Sequence, residues 1–413
     1  MPTRLAIVLS HPVQYYSPWF RHLAARPELE LKVFYLWDFG VKETTDRTFQ
    51  TSFVWDIPLL EGYAHEFVFN RSPDPGTHHF KGLDNPGASE AVAAWKPDAV
   101  LLFGYAYKTH FRLILSRRLA RVPFYFRGDS HELCPTNGCR PQVSRVLRGL
   151  LFRRFAKFLA VGEANAGYFR VSRVAEAKIH RVPHCVDNGR FQAATEQAKI
   201  DATEWTRELG IPSDSTVVLF AGKFEDKKRP LDLLEAFLSR EQGAESKGRK
   251  TLPINHQPST LNLFSPVLLF VGSGPLENAL REAAGKELGR TVFFAPFQNQ
   301  SAMPKVYAAG DLLVLPSHGR GETWGLAVNE AMNLGRPAIV SSHVGCGPDL
   351  ILPGETGWIF PAGDVDALRQ ALVEALSDPA RLKRMGARAR SHIANYSYDR
   401  ATKALCDVLG RVL

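Results

Sequence analysis

The sequence has few cysteines and no long apolar run, and each absence disfavours a class of protein. Five scattered cysteines in 413 residues do not predict a disulfide framework. No apolar run reaches the roughly 18 residues that a membrane-spanning helix needs. No signal sequence of charged and then apolar residues opens the chain. We therefore expect a cytoplasmic protein, and peripheral attachment to the inner face of the membrane stays open.

Metal-binding patterns are scarce too. Cys134 and Cys139 lie close together, but no second Cys/His pair follows at the spacing of a zinc site. The acidic triplet Asp364–Asp366 resembles a metal-binding motif, yet it follows FPAG and precedes ALRQALVEAL, which favours a helix cap. We expect no metal site.

The composition indicates a globular protein with more than one domain. Domains usually span roughly 100–200 residues, so 413 residues predict two. With 45% hydrophobic and 23% charged residues, the chain is neither disordered nor fibrous. The net charge of +9 leaves nucleic acid, anionic lipid and phosphorylated small molecules open as partners.

Apolar segments of strand length alternate with helical or mixed segments in two successive series. The first series is LAIVLS, LKVFYLW, DAVLLFGY, VPFYFRG and KFLAVG, and the second is STVVLFAGK, PVLLFVGSG, TVFFAPF, DLLVLPS and RPAIVSS. Apolar strands between helices predict parallel sheets covered on both faces. We predict two doubly wound α/β domains, over 1–186 and 206–395, joined by a polar linker over 187–205. The polar stretch over 241–266 is predicted to be a surface insertion.

The segment ETWGLAVNEAMNLGRPAIV carries two carboxylates eight residues apart. A Gly-containing loop after Ser317 carries Glu322, and a helix that begins near Trp324–Gly325 carries Glu330. Amides at a helix N-terminus can bind a phosphate, and carboxylates can accept hydrogen bonds from sugar hydroxyls. The arrangement points to a nucleotide sugar, although two Glu at this spacing alone more often mark a helix surface.

Further blocks follow the same order as in a known family: AGKFEDKKRP, VGSGPLENAL, FFAPF, the ETWGLAVNE segment and GETGWIFPAGDVDAL. Over residues 180–400 the chain resembles the retaining glycosyltransferases of family 4, which have the GT-B fold. In the N-terminal half, HPVQYYSPWFR looks like a subgroup with a His-Pro-x-Gln-Tyr-Tyr stretch. The resemblance implies two Rossmann-like domains that face a cleft, and a helix over 396–413 that crosses back onto the first domain.

The resemblance also implies roles for residues of the second domain. Glu330 would hold the nucleotide ribose and Glu322 the donor sugar. Lys228, together with Lys223 where the family usually has Arg, would hold the diphosphate, so that neither a divalent ion nor a cofactor is required. Other positions expected on the nucleotide side are Gly222, Gly272, Gly274, Phe297, Trp324, Gly325 and Leu326. Gly272 and Gly274 lack the third glycine of a dinucleotide motif, so a tight strand-to-helix turn is the alternative there.

Polar residues also follow two strands of the first domain, where open α/β sheets bind ligands. Asp129 and His131 follow VPFYFRG, and His11 follows LAIVLS. Many family members have His at the position of Asp129, so the residue that would contact the transferred sugar, Asp129 or His131, stays open. His11, Gln14 and Tyr15 are candidates on the acceptor side.

The positive charge is concentrated in residues 108–157, which contain twelve basic and two acidic residues. Within them, VSRVLRGLLFRRFAKF places Arg among apolar residues at helical spacing. This pattern suggests a basic amphipathic helix on an anionic membrane. An apolar face packed on the sheet beneath solvated arginines is the alternative, and the two are compatible.

We therefore predict a glycosyltransferase that moves a sugar from a nucleoside diphosphate sugar to a hydroxyl of a saccharide or lipid-linked acceptor, in cell-envelope polysaccharide or glycoconjugate synthesis. An epimerase or hydrolase of the same fold is the enzymatic alternative. A basic nucleic-acid-binding protein is the alternative of another class, but the sequence has no helix-turn-helix, zinc-finger or RNA-binding aromatic motif, so we expect no nucleic-acid partner.

Overall fold

The chain divides into two compact units in a computed structural model that describes residues 1–41, 44–46, 51–134, 140–240 and 266–410. The N-terminal unit comprises Met1–Asp46, Thr51–Asp187 and Asn395–Leu413, and the C-terminal unit comprises Asn188–Ala394. Cys139 and residues 241–265 of the predicted insertion lie outside the described residues.

A parallel sheet forms the centre of the N-terminal unit. Its described strands are β1 (Thr3–Leu9), β2 (Leu29–Tyr35), β5 (Ala64–Phe67), β6 (Ala99–Phe103), β7 (Phe124–Gly128), β8 (Phe155–Ala160) and β9 (Ile179–Arg181), and β3 (Thr44–Asp46) and β4 (Thr51–Phe53) form a separate antiparallel pair. The order across the sheet is β5-β2-β1-β6-β7-β8-β9. The helices are α1 (Ser17–Ala24), α2 (Ala88–Ala94), α3 (Lys108–Ile114), α4 (Arg140–Phe152) and α5 (Glu163–Val171).

Strand β1 shows why the sequence folds in this way. Leu5 and Ile7 lie in the core on one face of the sheet, and Ala6 and Val8 lie in the core on the other face. Because both faces are covered, the strand is apolar at successive positions, as the sequence predicted.

A second parallel sheet forms the centre of the C-terminal unit. Its described strands are β10 (Val217–Ala221), β11 (Val267–Val271), β12 (Val292–Ala295), β13 (Leu312–Leu315), β14 (Ala338–Ser341) and β15 (Gly357–Phe360), in the order β12-β11-β10-β13-β14-β15. The helices are α6 (Asn188–Ala193), α7 (Thr195–Glu208), α8 (Pro230–Leu238), α9 (Glu277–Ala284), α10 (Met303–Ala309), α11 (Leu326–Asn333), α12 (Gly347–Leu350), α13 (Val365–Leu376) and α14 (Pro379–Ile393). The second doubly wound unit is therefore confirmed.

The last helix, α15 (Tyr398–Gly410), belongs to the N-terminal unit. Its Ala401 and Leu405 are buried in the same core as Leu5. The indole Nε1 of Trp19 donates a hydrogen bond to Thr402 Oγ1 at 3.1 Å. The predicted return of the C-terminal helix to the first unit is confirmed.

The linker predicted over 187–205 is instead helical, in α6 and most of α7. Ala198 and Ala202 are buried on one face of α7. Gln192 donates to Asn333 Oδ1 at 2.9 Å, and Asn333 donates to Asn188 Oδ1 at 2.9 Å. Phe191 is the one large apolar side chain that α6 buries. The rest of this packing uses small residues and amide hydrogen bonds, so the segment looks polar in sequence.

Candidate functional site

The residues predicted on the donor side lie at one edge of the C-terminal sheet. Lys223 follows β10, Gly272 and Gly274 follow β11, Phe297 follows β12, and Glu322 lies in the loop after β13. These strands are parallel, so their carboxyl ends meet at the same edge, where open α/β sheets bind ligands.

The glycines at this edge let two loops approach each other closely. Phe224 N donates to Ser273 O at 3.0 Å, which continues the strand pairing past the end of β10. A methyl group on Gly272 would lie 2.0 Å from Gly222 O, and one on Gly274 would lie 2.6 Å from Phe224 O. Packing therefore explains both glycines, and their contact with a nucleotide stays a prediction.

Lys228 and Glu322 form an ion pair at this edge. Lys228 Nζ contacts Glu322 Oε2, and Ser317 Oγ donates to the same oxygen at 2.8 Å. The two charged side chains are only 19% and 12% exposed. The structure thus brings a cation and a carboxylate that are 94 residues apart in sequence into direct contact. Ser317 was not predicted as a site residue, although its position just after β13 was a signal.

The two basic neighbours of Lys228 have partners of their own. Lys227 Nζ lies 3.1 Å from Glu225 Oε1, and Arg229 Nε donates to Asp232 Oδ2 at 2.8 Å. Both side chains are more than 40% exposed. They offer matched control positions for Lys228.

The loop that carries Glu322 is held by its backbone. Glu322 O accepts a hydrogen bond from Gly345 N at 3.1 Å. Gly325 has φ +101°, and a methyl group there would lie 2.9 Å from Val344 Cγ1, so glycine is required on both counts. Helix α11 then begins at Leu326, one to two residues beyond the predicted start.

The Trp324 side chain points into the interior. It is 3% exposed, and its Nε1 donates to Asn329 Oδ1 at 2.8 Å. An indole in this position has no free face on which a base could stack. The predicted nucleotide-side role of Trp324 is therefore limited to its backbone.

Glu330, on α11, is partly buried beside Tyr307. The Tyr307 hydroxyl donates to Glu330 Oε2 at 2.6 Å. Burial raises the pKa of Glu330, against the lowering effects of the Tyr307 hydroxyl and of nearby Arg190. Arg190 is fixed by hydrogen bonds to Gln300, at 2.6 Å to its carbonyl and 3.0 Å to its side chain. Neither Tyr307 nor Arg190 was predicted from the sequence, because Tyr307 is a buried aromatic residue and Arg190 lay in the predicted linker.

On the N-terminal unit, the edge formed by the carboxyl ends of the strands is aromatic. His11 follows β1, and its ring contacts those of Trp37 and Phe39 edge-on, at 5.8 and 5.4 Å between centroids. Ser10 Oγ lies 3.0 Å from His11 Nδ1. Burial lowers the pKa of His11 to about 4, so the imidazole is neutral at pH 7.

Asp129 lies close to Tyr15. Burial, with contributions from the neighbouring Tyr16 and Asp129, raises the pKa of Tyr15. His131 is buried, and its Nδ1 accepts a hydrogen bond from Leu133 N at 3.2 Å. Asp129 therefore lies near Tyr15, a predicted acceptor-side residue. One ring nitrogen of His131 is already used in a hydrogen bond within its own loop. Gln14 is half-buried in the same loop as Tyr15.

A buried arginine supports this edge. Arg127, at the end of β7, is 1% exposed and donates to Val182 O at 2.9 Å. Its guanidinium carbon lies 4.8 Å from the centre of the Trp19 ring. Tyr16 stacks on His184 with 5.4 Å between ring centroids. Sequence analysis selected neither Tyr16 nor His184, because nothing local distinguishes them from core residues.

Helix α4 distinguishes between the two alternatives for the basic segment. Arg145 and Arg148 both bind Glu132, at 2.9 Å, and the side chain of Arg148 is only 9% exposed. Leucines 147 and 150 are 61% and 56% exposed. The alternative of an apolar face packed on the sheet is therefore wrong for Leu147 and Leu150. It holds at the end of the helix, where Phe152 is buried in the core and Leu151 packs against that core.

The triplet Asp364–Asp366 caps a helix, as predicted. Asp364 Oδ1 accepts a hydrogen bond from Ala367 N at 2.9 Å at the start of α13.

Within the described ranges, no helix combines the length and apolarity that crossing a membrane requires.

The chain resembles known proteins in sequence and in structure, and the family match covers its C-terminal half. Residues 201–392 match the family described as Glycosyl transferases group 1. The D-inositol 3-phosphate glycosyltransferase of Streptomyces avermitilis is 30% identical over 224 residues, which cover 54% of this chain and 44% of that protein. The GDP-mannose-dependent monoacylated alpha-(1-6)-phosphatidylinositol monomannoside mannosyltransferase of Corynebacterium glutamicum is 34% identical over 234 residues, 55% of each chain. The chain thus spans about half the length of these relatives.

The second resemblance is structural. The crystal structure of Anabaena Alr3699/HepE in complex with UDP superposes with a TM-score of 0.70 over 99% of this chain and 100% of that one, at 15% identity. This likeness confirms the Rossmann-like α/β fold of the GT-B type. Together, the family match and the relatives support the predicted enzyme class, a glycosyltransferase.

Proposed function

We propose that the protein is a retaining glycosyltransferase that uses a nucleoside diphosphate sugar. The observation that carries this proposal is the contact between Lys228 and Glu322. In such a donor the diphosphate is bonded directly to the sugar, so a cation that binds the diphosphate and a carboxylate that binds the sugar must be neighbours. Lys228 and Glu322 are neighbours at the edge of a parallel sheet where open α/β folds bind ligands.

The remaining donor contacts follow from the surrounding residues. Lys223 supplies a second positive charge for the diphosphate, and the first amides of α11 face the same group. Glu330, oriented by the Tyr307 hydroxyl, accepts hydrogen bonds from the ribose. Paired lysines stabilise the departing diphosphate as its negative charge develops, which is the part that a divalent ion plays in other enzymes.

The proposed reaction conserves the anomeric configuration. The acceptor hydroxyl oxygen bonds to the anomeric carbon on the face from which the diphosphate leaves, while the bond from that carbon to the phosphate oxygen breaks. The acceptor proton passes to the departing diphosphate. The residues of the C-terminal unit hold the donor. In the N-terminal unit, His11, Gln14 and Tyr15 are proposed to contact the acceptor, and Asp129 or His131 is the candidate for a sugar contact.

The acceptor is proposed to be a saccharide or a lipid-linked saccharide, approached at an anionic membrane surface. Val146, Leu147 and Leu150 expose an apolar face on α4. Exposed arginines 117, 118, 121 and 153 lie in the same basic segment, and Arg154 ties the end of α4 to the loop after α3 through Leu119 O at 2.8 Å. Apolar side chains flanked by arginines suit the interface of an anionic bilayer. The Corynebacterium relative is named for a phosphatidylinositol acceptor.

A thermal-shift screen of UDP-, GDP- and ADP-sugars identifies the donor first. A ligand at about 100 times its dissociation constant adds roughly 2.7 kcal/mol of stability. UDP-glucose and GDP-mannose are the first donors to test, because HepE has been crystallised in complex with UDP-glucose and the Corynebacterium relative is called GDP-mannose-dependent.

Incubating the responding donor with and without acceptor then distinguishes the enzymatic alternatives. A glycosyltransferase forms a glycoside only with acceptor present, whereas an epimerase or hydrolase converts the donor alone. Salt-dependent binding of duplex DNA without any response to donors would contradict the proposal and favour a nucleic-acid-binding protein.

A further inference from the structure

We propose that Asp74, His78 and His79 form a binding site for a divalent transition-metal ion such as Zn²⁺. The three residues lie on one exposed loop of the N-terminal unit, between β5 and α2. The proposed transfer reaction uses none of them. The metal candidates weighed in the sequence, the Cys134–Cys139 pair and Asp364–Asp366, lie elsewhere, so this site departs from the expectation of no metal.

The three candidate ligand atoms are already close together. All lie within 4.8 Å of one another. His78 Nε2 is 2.9 Å from Asp74 Oδ2, and His79 Nε2 is 3.5 Å from the same oxygen. Zinc binds imidazole nitrogen and carboxylate oxygen at about 2.0–2.2 Å in a tetrahedron, which places neighbouring ligand atoms about 3.3–3.5 Å apart. Shifts of a few tenths of an ångström would give these two pairs that spacing.

The backbone of the loop holds this arrangement. Gly76 N donates to Gly82 O at 3.3 Å, and Gly82 N donates to His79 O at 3.1 Å. A methyl group on Gly82 would lie 2.1 Å from Gly76 O, so the backbone at the start of the loop directly contacts the backbone at its end. The Tyr107 hydroxyl donates to Thr77 O at 3.0 Å. Because the loop is closed at its base, the ion would not have to gather its ligands from an open chain.

The donor set selects the class of metal. Two imidazoles and one carboxylate suit zinc and its neighbours in the transition series, whereas magnesium and calcium prefer oxygen ligands alone. The side chains of Asp74, His78 and His79 are 52%, 43% and 37% exposed, so an ion could enter from solvent and keep a water molecule as its fourth ligand.

A bound ion would also act on a neighbouring cavity. Pro75, in the same loop, lines a cavity of about 390 Å³ together with Trp37, Asp38 and Phe69. By tying Asp74 to His78 and His79, the metal would restrain Pro75, the residue of this loop that lines the cavity.

Zinc titration of the full, untagged chain, stripped of metal beforehand, tests the proposal. We expect one equivalent of zinc to bind, measured by calorimetry and by competition with a chromophoric chelator. Loss of a partner outside the ligand shell alone costs roughly 10–100-fold in metal affinity, so His78→Ala and His79→Ala should each cost at least as much. Cobalt should give the visible absorption of a tetrahedral site.

His22→Ala is the matched control. His22 is a partly exposed histidine of the same unit that pairs with Asp399 at 3.1 Å, and its loss should leave zinc affinity unchanged. Circular dichroism checks that each variant is folded. The proposal is overturned if the native chain binds no stoichiometric zinc at micromolar concentration, or if the variant lacking both His78 and His79 binds zinc as tightly as the native chain.

Discussion

The two sheets carry chemically different groups at the edges formed by the carboxyl ends of their strands. The C-terminal edge has the charged pair Lys228–Glu322 and the carboxylate Glu330 beside Tyr307. The N-terminal edge has a neutral imidazole, His11, set among the rings of Trp37 and Phe39. The C-terminal edge thus presents an ion pair and a further carboxylate, whereas aromatic rings surround His11 at the N-terminal edge, a difference that suits the proposed charged donor and a less charged acceptor. The difference lies in the loops, since the sheets beneath are alike.

The charged edge is tested most severely by Lys228→Ala. Removing this cation takes away stabilisation of the departing diphosphate and leaves Glu322 without its partner. We expect transfer, measured as kcat/KM with the donor found by thermal shift, to fall at least about 100-fold. Lys227→Ala, which removes a neighbouring lysine paired with Glu225, should change it less than about twofold. Equal losses in the two variants would mean that only general surface charge matters.

The close packing of the C-terminal loops is tested by Gly272→Ala. Its new methyl group meets Gly222 O at 2.0 Å, and such overpacking typically costs about 1–3 kcal/mol. We expect a lower midpoint of thermal unfolding. Gly167→Ala, in helix α5 of the N-terminal unit, adds a methyl group that meets no atom of the described residues within 4 Å, and it should leave stability unchanged or slightly raised. A harmless Gly272→Ala would show that the loops are less tightly paired than these contacts indicate.

The exposed apolar face of α4 is tested by replacing Leu147 and Leu150 with Glu. Loss of apolar burial, with added repulsion from anionic lipid, should weaken binding to phosphatidylglycerol-containing vesicles by about tenfold or more, measured by co-sedimentation. Ile200→Glu provides the comparison on the C-terminal unit, since Ile200 is 63% exposed on α7 and should not affect binding. If the double variant binds vesicles as tightly as the native chain, the proposal that α4 contacts the membrane is wrong.

The smallest expected effect concerns the pH dependence of stability. Because burial raises the pKa of Glu330, the folded state holds this proton more tightly than the unfolded state. The resulting stabilisation is present at pH below the usual glutamate pKa and is lost as pH rises through the raised value. Glu330→Gln should abolish this pH dependence of the free energy of unfolding and raise that free energy by on the order of 0.5 kcal/mol at pH 8. The same substitution should weaken donor binding. Denaturant unfolding at pH 4–8 measures the free energy of unfolding and its pH dependence. If the pH dependence is unchanged in the variant, a group other than Glu330 causes it.

Much of the fold could be predicted from local pattern, because a strand buried on both faces is apolar at every position. PVLLFVGSG becomes β11, whose five residues are all apolar and buried. KFLAVG becomes part of β8, in which Lys157 is the one polar residue. Helices α6 and α7 escaped prediction because only Phe191 among their packed residues is large and apolar, and the others are small residues and amide groups, which resemble a linker. For helix α4 the sequence left two alternatives open, because local pattern does not show that an ion pair with Glu132 buries Arg148 while Leu147 and Leu150 stay exposed.

The site divides along the same line. Glu322, Glu330 and Lys228 stand in recognisable blocks, so they could be selected before their contacts were known. Tyr307 could not be, because its pairing with Glu330 depends on how α10 packs near α11, 23 residues away in sequence. The burial of Trp324 was equally invisible, since a tryptophan in a loop gives no local sign of which way its ring points.

Calorimetric binding of the nucleoside diphosphate and of its sugar conjugate to three proteins tests the central claim most directly: the native chain, Lys228→Ala and Glu322→Gln. We predict that Lys228→Ala weakens both ligands, because both contain the diphosphate. Glu322→Gln should bind the nucleoside diphosphate like the native chain and lose only the extra affinity that the sugar provides. Native affinity of Lys228→Ala for both ligands would contradict the assignment of this edge as the donor site.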